Sequence, residues 1–383
     1  MSKPELVFSF PACMGGVASF NFNIINNSRL IKKFNSRVIL LKADEDDRPL
    51  FNETFLADEV ITFNYSSKEN KYHILKRLNT LLGTGNGAVV TDNSMTIEAA
   101  GLFRNPKTVF NLLHDYFYVN ETVQLGDLVD VAIAHSSFFS DAVFASNPNL
   151  FFGRSCYIPY GVKTRENFPL KDHRVFKLVF LGRLVEEKGV KLLYEINKAL
   201  QEKKVSVEWT VIGKGPLKEF LIDQWNGNTN IFFHEPDTTN EVYDLLSTQD
   251  IFVFPTLFEG TPVSILECLA NGVIPVVNDL PGGIRDIVGK NIGFRCELNN
   301  IAEFTENICR LAADGNRLME MQRACYKLSH HLFDIQKNAD NYFIKFLEYE
   351  ELKRANKLGQ VKFSKLDKSY FPNVLVKMIR SIT

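Results

Sequence analysis

Hydrophobic residues along the chain form short apolar runs that alternate with longer patterns of helical period. Each run is mostly uninterrupted and ends in polar or small residues, which is typical of parallel strands buried on both faces. In the first half, the runs predict strands at residues 6–10, 38–41, 88–91, 108–112, 131–134 and 158–162. A helix is predicted over 17–34, after the first strand. This half is therefore predicted to be a doubly wound α/β domain.

A second series of the same kind begins after a polar segment. It predicts strands at residues 176–181, 207–212, 231–233, 251–254, 273–277 and 293–295. The polar segment 163–173 separates the two series and is the best linker candidate. The pattern thus predicts two Rossmann-like domains, each with a parallel sheet, that face each other across a cleft.

Composition supports two folded domains and narrows the class of partner. The chain has 383 residues, of which 45% are hydrophobic, enough for two packed cores. Its formal net charge of −1 gives no general attraction to nucleic acid.

The expected location is cytoplasmic. The first twelve residues lack the apolar core and cleavage site of a secretory signal, and no apolar segment approaches the ~20 residues of a membrane helix. The six cysteines are scattered without a C-x-x-C pair, which indicates reduced core residues.

The most informative segment joins the strand at 251–254 to a helix predicted over 262–271. Thr261 is a good N-cap, Pro262 suits the first helical position, and Gly272 suits a left-handed C-cap. The loop before this helix lies at the carboxyl end of a parallel strand, where open α/β sheets bind ligands.

Two glutamates flank this junction, with seven residues between them. Glu259 lies in the loop, and Glu267 lies two turns into the helix. The helix N-terminus between them offers backbone N–H groups to an anion. An ordinary crossover with solvated glutamates would give the same spacing, so the surrounding residues decide the interpretation.

Basic residues and glycines follow other predicted strands. Arg183 and Lys188 come after the strand at 176–181 and could neutralise a diphosphate, unless Glu186 and Glu187 already neutralise them. Gly15 and Gly16 follow the first strand, where glycine allows a ligand to approach the backbone closely. An ordinary turn would also place glycines there.

The basic residues Arg183 and Lys188 help to decide which reaction Glu259 and Glu267 could support. A glycosidase needs one carboxyl group to protonate a poor leaving group. A nucleoside diphosphate leaves without that proton when cations meet its charge. The basic residues therefore favour sugar transfer from an activated donor over hydrolysis.

Several motifs together resemble a known enzyme family. They are MGGVASF, LLHDYF, IPYGV, FLGRLVEEKGV, VIGKGPL, and EGTPVSILE followed by CLANGVIPVV and PGG. In this order they resemble the retaining GT-B glycosyltransferases of family 4, also called glycosyl transferases group 1. The resemblance spans residues 13–288.

The resemblance implies the GT-B fold and a division of the chain. Residues 1–165 would form an N-terminal Rossmann-like acceptor domain, and residues 166–333 a C-terminal nucleotide-sugar donor domain. Residues 334–383 would cross back to the N-terminal domain as a helix, centred on 334–349, and a basic amphipathic tail.

The resemblance also implies roles for individual residues. His114 would lie beside sugar and acceptor, Glu259 would bind the sugar hydroxyls, and both are the catalytic candidates. Glu267 would bind the ribose hydroxyls. The donor phosphates would be bound by Gly15, Gly16, Arg183 and Lys188; the sugar also by Gly260, Thr261, Pro262 and Val263; the nucleotide by Gly213, Gly215, His234 and Glu235.

The function implied is metal-independent, retaining transfer of a hexosyl-type sugar from a nucleotide-diphosphate sugar. The acceptor would be a glycan or a lipid-linked molecule in bacterial surface polysaccharide biosynthesis. No cofactor is expected, and the donor would be UDP- or GDP-linked. Two alternatives are another GT-B enzyme such as a nucleotide-sugar epimerase and a non-catalytic glycosyltransferase-like binding subunit.

Some properties remain open at this point. Family members often carry glycine where His234 or Glu235 stands, so the base is not fixed by the sequence. Donor sugar, acceptor, linkage, pathway and oligomeric state are equally open. The tail 353–383 mixes lysines with apolar residues, and it either packs on the first domain or contacts an anionic membrane such as the inner face of the plasma membrane.

Overall fold

The chain divides into two compact units in a computed structural model that describes residues 3–171, 175–354 and 361–382. The first unit comprises Met1–Pro159 and Ile335–Thr383, and the second is the continuous segment Tyr160–Asp334. Residues 172–173 of the predicted linker and 355–360 and 383 of the predicted tail lie outside the described residues.

The first unit contains a parallel sheet of seven strands in its described part. The strands are β1 (Glu5–Pro11), β2 (Asn35–Ala43), β3 (Glu59–Tyr65), β4 (Gly87–Thr91), β5 (Thr108–Leu113), β6 (Val131–Ala134) and β7 (Ser155–Tyr157). Their spatial order is β3-β2-β1-β4-β5-β6-β7. The order reverses at β1, which makes the sheet doubly wound, as predicted.

Helices follow most of these strands. They are α1 (Gly16–Asn27), α2 (Lys71–Leu82), α3 (Ser94–Leu102), α4 (Tyr116–Leu125), α5 (Ser137–Ser146) and α6 (Pro148–Phe151). The predicted helix over 17–34 is wrong beyond Asn27. Ser28 is extended, and its hydroxyl accepts from the Leu30 backbone N–H (3.1 Å). Such local side-chain bonds compete with helical ones.

Two strand predictions in this unit need correction. The last strand is Ser155–Tyr157, and the predicted strand at 158–162 lies just beyond it. Strand β3 was not predicted, because it lies at the sheet edge and alternates exposed with half-buried residues. A search for continuous apolar runs does not detect such an edge strand.

The second unit repeats this architecture with a parallel sheet that has six strands among its described residues. The strands are β8 (Phe176–Leu181), β9 (Val207–Ile212), β10 (Ile231–His234), β11 (Ile251–Phe254), β12 (Ile274–Asn278) and β13 (Phe294–Cys296), in the order β10-β9-β8-β11-β12-β13. Its helices are α7 (Leu192–Glu202), α8 (Lys218–Gln224), α9 (Thr239–Leu246), α10 (Val263–Ala270), α11 (Gly283–Ile287), α12 (Ile301–Ala313) and α13 (Gly315–Leu332).

Helix α10 begins one residue later than predicted. Pro262 is extended (φ −72°, ψ 111°) and precedes the first helical residue, so Thr261 is not the N-cap. Gly272 has a φ of +62°, the left-handed conformation predicted for it. The strand after it begins at Ile274.

The segment 163–171 is bound to the second unit and is not a free linker. The Arg165 guanidinium donates to the Asn271 side chain (2.6 Å) and the Tyr243 carbonyl (2.7 Å). Lys171 donates to the carbonyls of Gln249 and Gly272. Burial of Lys171 lowers its pKa to about 8.

The chain returns to the first unit through α14 (Ile335–Leu347), followed by α15 (Tyr349–Leu352) and α16 (Asn373–Ile382). Phe343 and Phe346 of α14 are fully buried and pack on Phe8, with ring centroids 6.1 and 5.9 Å away. Helix α14 therefore completes the aromatic core of this unit. No described helix is both long enough and apolar enough to cross a membrane.

Candidate functional site

The carboxyl ends of β8 and β11 are tied together in the second unit. The Leu257 N–H and the Thr256 hydroxyl both donate to the Glu187 carbonyl, at 2.8 and 3.1 Å. Gly189 has a φ of +65°, and a Cβ there would lie 1.9 Å from the Pro255 carbonyl oxygen. The turn that carries Lys188 is therefore held against the loop that leads to Glu259.

Lys188 and Glu259 form an ion pair at this edge of the sheet. Their side chains are only 16% and 13% exposed, so solvent screens the pair weakly. The Lys188 ammonium also lies 5.7 Å from the centre of the Phe254 ring. The predicted phosphate-binding cation and the predicted sugar-binding carboxylate are thus direct partners.

The backbone after Glu259 is closely packed. The Gly283 N–H donates to the Gly260 carbonyl (3.0 Å), and a Cβ on Gly283 would lie 2.7 Å from the Thr261 Cα. The glycine loop after β12 therefore fixes the path of Gly260 and Thr261. Helix α10 then starts at Val263 without a side-chain cap. The Ile265 N–H donates to the Pro262 carbonyl (3.1 Å), and the N–H groups of Val263 and Ser264 are the ones that an anion could reach.

Glu267 lies on α10 and is mostly buried. Desolvation of its carboxyl group raises its pKa to about 7. The neighbouring turn is fixed because the Asn271 amide donates to the Glu267 carbonyl (2.9 Å), while Asn271 accepts from Arg165 (2.6 Å). Two hydroxyl groups of a ribose could supply the hydrogen bonds that favour the ionised carboxylate.

Arg183 follows β8 and is exposed. Its guanidinium makes no hydrogen bond or ion pair with the described residues, so it could reach a phosphate at little cost. The predicted neutralisation by Glu186 and Glu187 does not occur at this residue. Glu186 pairs with Lys191 instead.

Packing within the protein requires glycine at the two positions after β9. Gly213 has a φ of +145°, and a Cβ there would lie 1.9 Å from the Gly182 carbonyl oxygen. A Cβ on Gly215 would lie 2.4 Å from the Leu184 carbonyl oxygen. Both glycines therefore let the loop after β9 approach the loop after β8. Any role of these glycines in a nucleotide pocket is indirect, through the position of these loops.

His234 ends β10 and Glu235 follows it. Both line a surface groove together with side chains of α9 and with Thr248 just beyond this helix. Glu235 pairs with Lys218 (2.5 Å) and lies 3.9 Å from the Lys214 ammonium. The hydrogen bond from Lys218 lowers the Glu235 pKa. The carboxylate is thus already engaged, and the groove beside it is the place available to a base.

In the first unit, Gly15 and Gly16 lie exposed at the N-terminus of α1. A Cβ on either glycine would meet no atom within 4 Å, and neither has a left-handed φ. Packing and backbone conformation therefore do not require glycine at these positions. Close approach of a ligand remains a reason for it.

His114 follows β5 and is held in a network of aromatic and polar side chains. Its Nδ1 lies 3.1 Å from His135 Nε2, and its Nε2 lies 3.4 Å from an Asp92 carboxylate oxygen. The Phe20 ring packs edge-on against it at 5.2 Å. Asp115 caps α4 by accepting from the Phe117 N–H (2.7 Å), a structural role.

The network determines which nitrogen of each histidine carries a proton. The Tyr342 hydroxyl donates to the Ile158 carbonyl (2.6 Å), so it must accept from His135 Nδ1 (2.7 Å). Burial lowers the His135 pKa well below its usual value, so the ring is neutral and its Nε2 accepts. His114 therefore donates through Nδ1, and its Nε2 is the nitrogen that faces Asp92.

Asp92, His135 and Tyr342 were not predicted from the sequence. Asp92 and His135 directly follow β4 and β6, as His114 follows β5, so their positions at strand ends were a signal that could have identified them. Tyr342 is distant in the sequence, and only the return of α14 brings it to this network. Asp92 also accepts from Asn21 (2.9 Å).

The predicted residues thus fall into two groups, one at the carboxyl edge of each sheet. In the second unit, contacts join Lys188 to Glu259 and Gly283 to Gly260 and Thr261. In the first unit, Gly15 and Gly16 follow β1, while His114 follows β5.

Comparison with known proteins agrees with this geometry. Residues 163–328 match the sequence model of the glycosyl transferases group 1 family. The teichuronic acid biosynthesis glycosyltransferase TuaC of Bacillus subtilis is 29% identical over 178 residues, which are 46% of this chain and 43% of that protein. A UDP-Gal:α-D-GlcNAc-diphosphoundecaprenol α-1,3-galactosyltransferase of Escherichia coli is 27% identical over 171 residues, 43% of each chain. The chain therefore matches less than half of the length of these relatives.

A solved structure extends the likeness to nearly the whole chain. Anabaena HepE in complex with UDP superposes with a TM-score of 0.69 and 13% identity, covering 90% of this chain and 99% of HepE. Identity at this level concerns the fold alone. The chain has the GT-B fold, and its similarity to the glycosyl transferases group 1 family lies in residues 163–328.

Proposed function

We propose that the protein is a retaining, metal-independent glycosyltransferase that transfers a hexosyl-type sugar from a UDP- or GDP-sugar. The proposed acceptor is a glycan or lipid-linked molecule in bacterial surface polysaccharide biosynthesis. The family match of the second unit and the names of the relatives support this proposal. The observation that carries it is the Lys188–Glu259 pair beside the N-terminus of α10.

The second unit has groups suited to each part of a nucleotide sugar. Lys188, Arg183 and the free N–H groups of α10 would meet the charge that develops on the diphosphate. Glu259 would accept hydrogen bonds from the sugar hydroxyls, and Glu267 from those of the ribose. Binding would require Lys188 to share its charge between Glu259 and a phosphate oxygen.

The reaction proposed is substitution at the anomeric carbon with retention. The acceptor oxygen forms its bond on the face from which the diphosphate leaves, and the breaking bond gives its electron pair to the diphosphate. A phosphate oxygen takes the acceptor proton. No protein carboxyl group then needs to donate a proton, which is consistent with Glu259 being paired with a lysine.

His114 is proposed to act in the same reaction from the first unit. Its Nδ1 is committed to His135, so Nε2 would contact substrate. Asp92 lies beside this nitrogen and forms an ion pair with the ring when the ring is protonated. The His114 network would therefore orient one nitrogen toward a polar group of sugar or acceptor.

A donor panel without added metal tests the proposal. UDP-, GDP- and ADP-sugars are added in the presence of EDTA, and thermal stabilisation and release of free sugar are measured. We expect one donor to stabilise the protein and to be hydrolysed slowly. The Glu267→Ala variant should lose the stabilisation, and Glu306→Ala, an exposed glutamate on α12, should keep it.

Other outcomes distinguish the alternatives. Isomerised nucleotide sugar among the products would indicate an epimerase. No stabilisation by any donor would indicate a non-catalytic binding subunit. Once an acceptor is found, the anomeric configuration of the product by NMR decides between retention and inversion.

A further inference from the structure

Helix α16 is attached to the first unit through its polar face. The Asn373 side chain accepts from the Asn70 N–H (2.8 Å) and donates to Glu69 (2.9 Å). Arg380 donates to the Glu69 carbonyl and to the Asp367 carboxylate (2.9 Å). The contacts that fix this helix are thus mainly hydrogen bonds and ion pairs.

Val376 of the same helix is buried, whereas most of its other apolar side chains are exposed. Residues four apart lie on one face of a helix, and four such residues of α16 form an exposed group that we call the apolar stripe. It consists of Val374 (71% exposed), Leu375 (44%), Met378 (59%) and Ile382 (86%). A surface helix of a globular protein normally has the opposite orientation. The apolar stripe therefore calls for a partner outside the unit.

The segment before α16 prevents the helix from rotating about its axis. Val361 and Phe363 pack against the core of the first unit. Asn70 donates to the carbonyls of Lys368 (3.0 Å) and Phe371 (2.9 Å), and Asp367 accepts from the Lys71 N–H (2.7 Å). Turning the apolar stripe inward would break this set of bonds, so its exposure is built into the attachment.

The segment that carries the apolar stripe is positively charged. Residues 361–382 contain five basic residues and a single acidic one, Asp367, which is buried and paired with Arg380. Lys365 and Lys368 are exposed, as is the Tyr370 ring just before the helix. Exposed cations beside apolar side chains complement anionic lipid headgroups above an acyl layer.

The same charges disfavour a second copy of this chain as the partner. A two-fold contact would place identical patches face to face, so the lysines around one apolar stripe would meet those around the other. Like charges at such a contact repel. An anionic bilayer has no such conflict.

We propose that α16 and the segment 361–372 dock on an anionic membrane surface. The apolar stripe enters the boundary between headgroups and acyl chains, with Tyr370 at the interface, while Lys365 and Lys368 contact lipid phosphates. The proposal concerns attachment only and does not depend on sugar transfer.

Flotation of the full chain with vesicles tests this surface. Vesicles of phosphatidylcholine with phosphatidylglycerol are compared with vesicles of phosphatidylcholine alone, without any nucleotide sugar. The variants are L375Q/M378Q for the apolar stripe and K365Q/K368Q for the charges. The double variant M319Q/I344Q serves as control, because it replaces equally exposed apolar residues of α13 and α14.

The expected result is binding to anionic vesicles only, weakened by added salt. L375Q/M378Q should lower the partition coefficient at least about tenfold, and K365Q/K368Q about fivefold for each lysine. The control variant should bind like the wild type. Circular dichroism of each variant should be unchanged, because the replaced residues are exposed.

Two results would overturn the proposal. One is equal binding, or equal absence of binding, of the wild type and L375Q/M378Q. The other is self-association of the wild type in velocity sedimentation that L375Q/M378Q abolishes, which would assign the apolar stripe to a second copy.

Discussion

Lys188 and Glu259 neutralise each other in the second unit, and this pairing affects how a donor can bind. Both side chains are largely buried, so an unpaired charge at either position would be costly. When a donor binds, its diphosphate can pair with Lys188 in place of the Glu259 carboxylate. The sugar hydroxyls can donate to Glu259 in place of the Lys188 ammonium. The pair therefore keeps both groups charged and in place until a ligand arrives.

Replacing Glu267 with glutamine should alter the pH dependence of stability. Burial raises the Glu267 pKa to about 7, whereas a glutamate in the unfolded chain has its ordinary pKa of 4.5. The free energy of unfolding therefore decreases as the pH rises from about 4.5 to 7, because the unfolded chain releases the Glu267 proton before the native protein does. Above that range the destabilisation by Glu267 is complete. Glu267→Gln should therefore stabilise the protein by about 2 kcal/mol more at pH 8 than at pH 5.

Urea denaturation of Glu267→Gln and the wild type at both pH values measures this difference. An equal change in the free energy of unfolding at pH 5 and pH 8 would mean that Glu267 is already ionised at pH 5.

Gly16→Ala separates ligand binding from folding in the first unit. Gly16 begins α1 and has open space around the position of a Cβ, so alanine should leave stability equal or raise it slightly. If the donor approaches this backbone, turnover should fall at least about tenfold, by loss of one or two phosphate contacts. Steady-state kinetics and thermal unfolding are measured together.

Gly315→Ala is the matched control, because Gly315 also begins a helix, α13, and has no atom within 4 Å of a Cβ position. Full activity of Gly16→Ala would remove Gly16 from the proposed site.

Among whole helices, α14 supplies both core and chemistry to the first unit. Its phenylalanines complete the aromatic core, and its Tyr342 fixes the proton on His135 and thereby that on His114. The helix that closes the unit thus also orients a residue at the edge of its sheet.

Tyr342→Phe tests this link. The variant removes the hydroxyl that accepts from His135 Nδ1, so stability should fall by about 1–2 kcal/mol. If the tautomer matters, the pH profile of kcat/KM should shift as well. Tyr326→Phe is the control, because it removes a similar hydroxyl-to-carbonyl bond (2.8 Å) in the second unit. A loss of stability with an unchanged pH profile would leave Tyr342 with a structural role only.

Asn70→Ala should loosen the attachment of the C-terminal segment. Asn70 is fully buried, caps α2 and donates to two carbonyls of that segment. We expect a loss of about 1–3 kcal/mol and faster proteolytic cleavage between residues 361 and 382.

Asn93→Ala provides the comparison. Asn93 caps α3 by accepting from the Met95 N–H (3.0 Å), so this variant removes a helix cap and leaves the C-terminal segment attached. Equal cleavage of the C-terminal segment in both variants would show that Asn70 acts only as a cap.

The sequence predicted central strands well and edge features poorly. Strands such as β5 and β11 are buried on both faces, so their apolar runs are visible without a structure. Strand β3 is half exposed and has no such run. The outward face of α16 was also not predictable, because the same pattern of lysines and apolar residues would normally place the apolar side chains inside.

The candidate site shows the same division. Residues that follow central strands, such as His114 and Glu259, could be chosen from their position together with the motifs that contain them. Their partners could not, because the pairing of Lys188 with Glu259 and of His114 with His135 depends on how loops distant in the sequence pack. The glycine at 213 was assigned to a ligand, although contact between two loops already requires it.

For the protein as a whole, the second unit is a continuous segment whose ends meet. The Val162 N–H donates to the Phe333 carbonyl (2.8 Å), and the Thr164 hydroxyl donates to Asp334 (3.1 Å). We therefore expect residues 160–334 to fold when expressed alone and to bind the nucleotide of the donor. Calorimetric titration with UDP and GDP measures this binding, with Glu267→Ala as control. A cooperative fold without nucleotide binding would mean that the second unit alone does not hold the donor.

The first unit, by contrast, is built from two segments that are distant in the sequence, and this affects its folding during synthesis. During translation, β1 to β7 leave the ribosome well before α14, so the surfaces of Phe8, Phe34 and Phe110 lack their aromatic partners until the last fifty or so residues are synthesised. The second unit can complete its core in that interval. Nascent chains arrested by a C-terminal linker that places residue 334 just outside the ribosome should therefore show a protease-resistant second unit, and a first unit that remains sensitive to protease and available to chaperones.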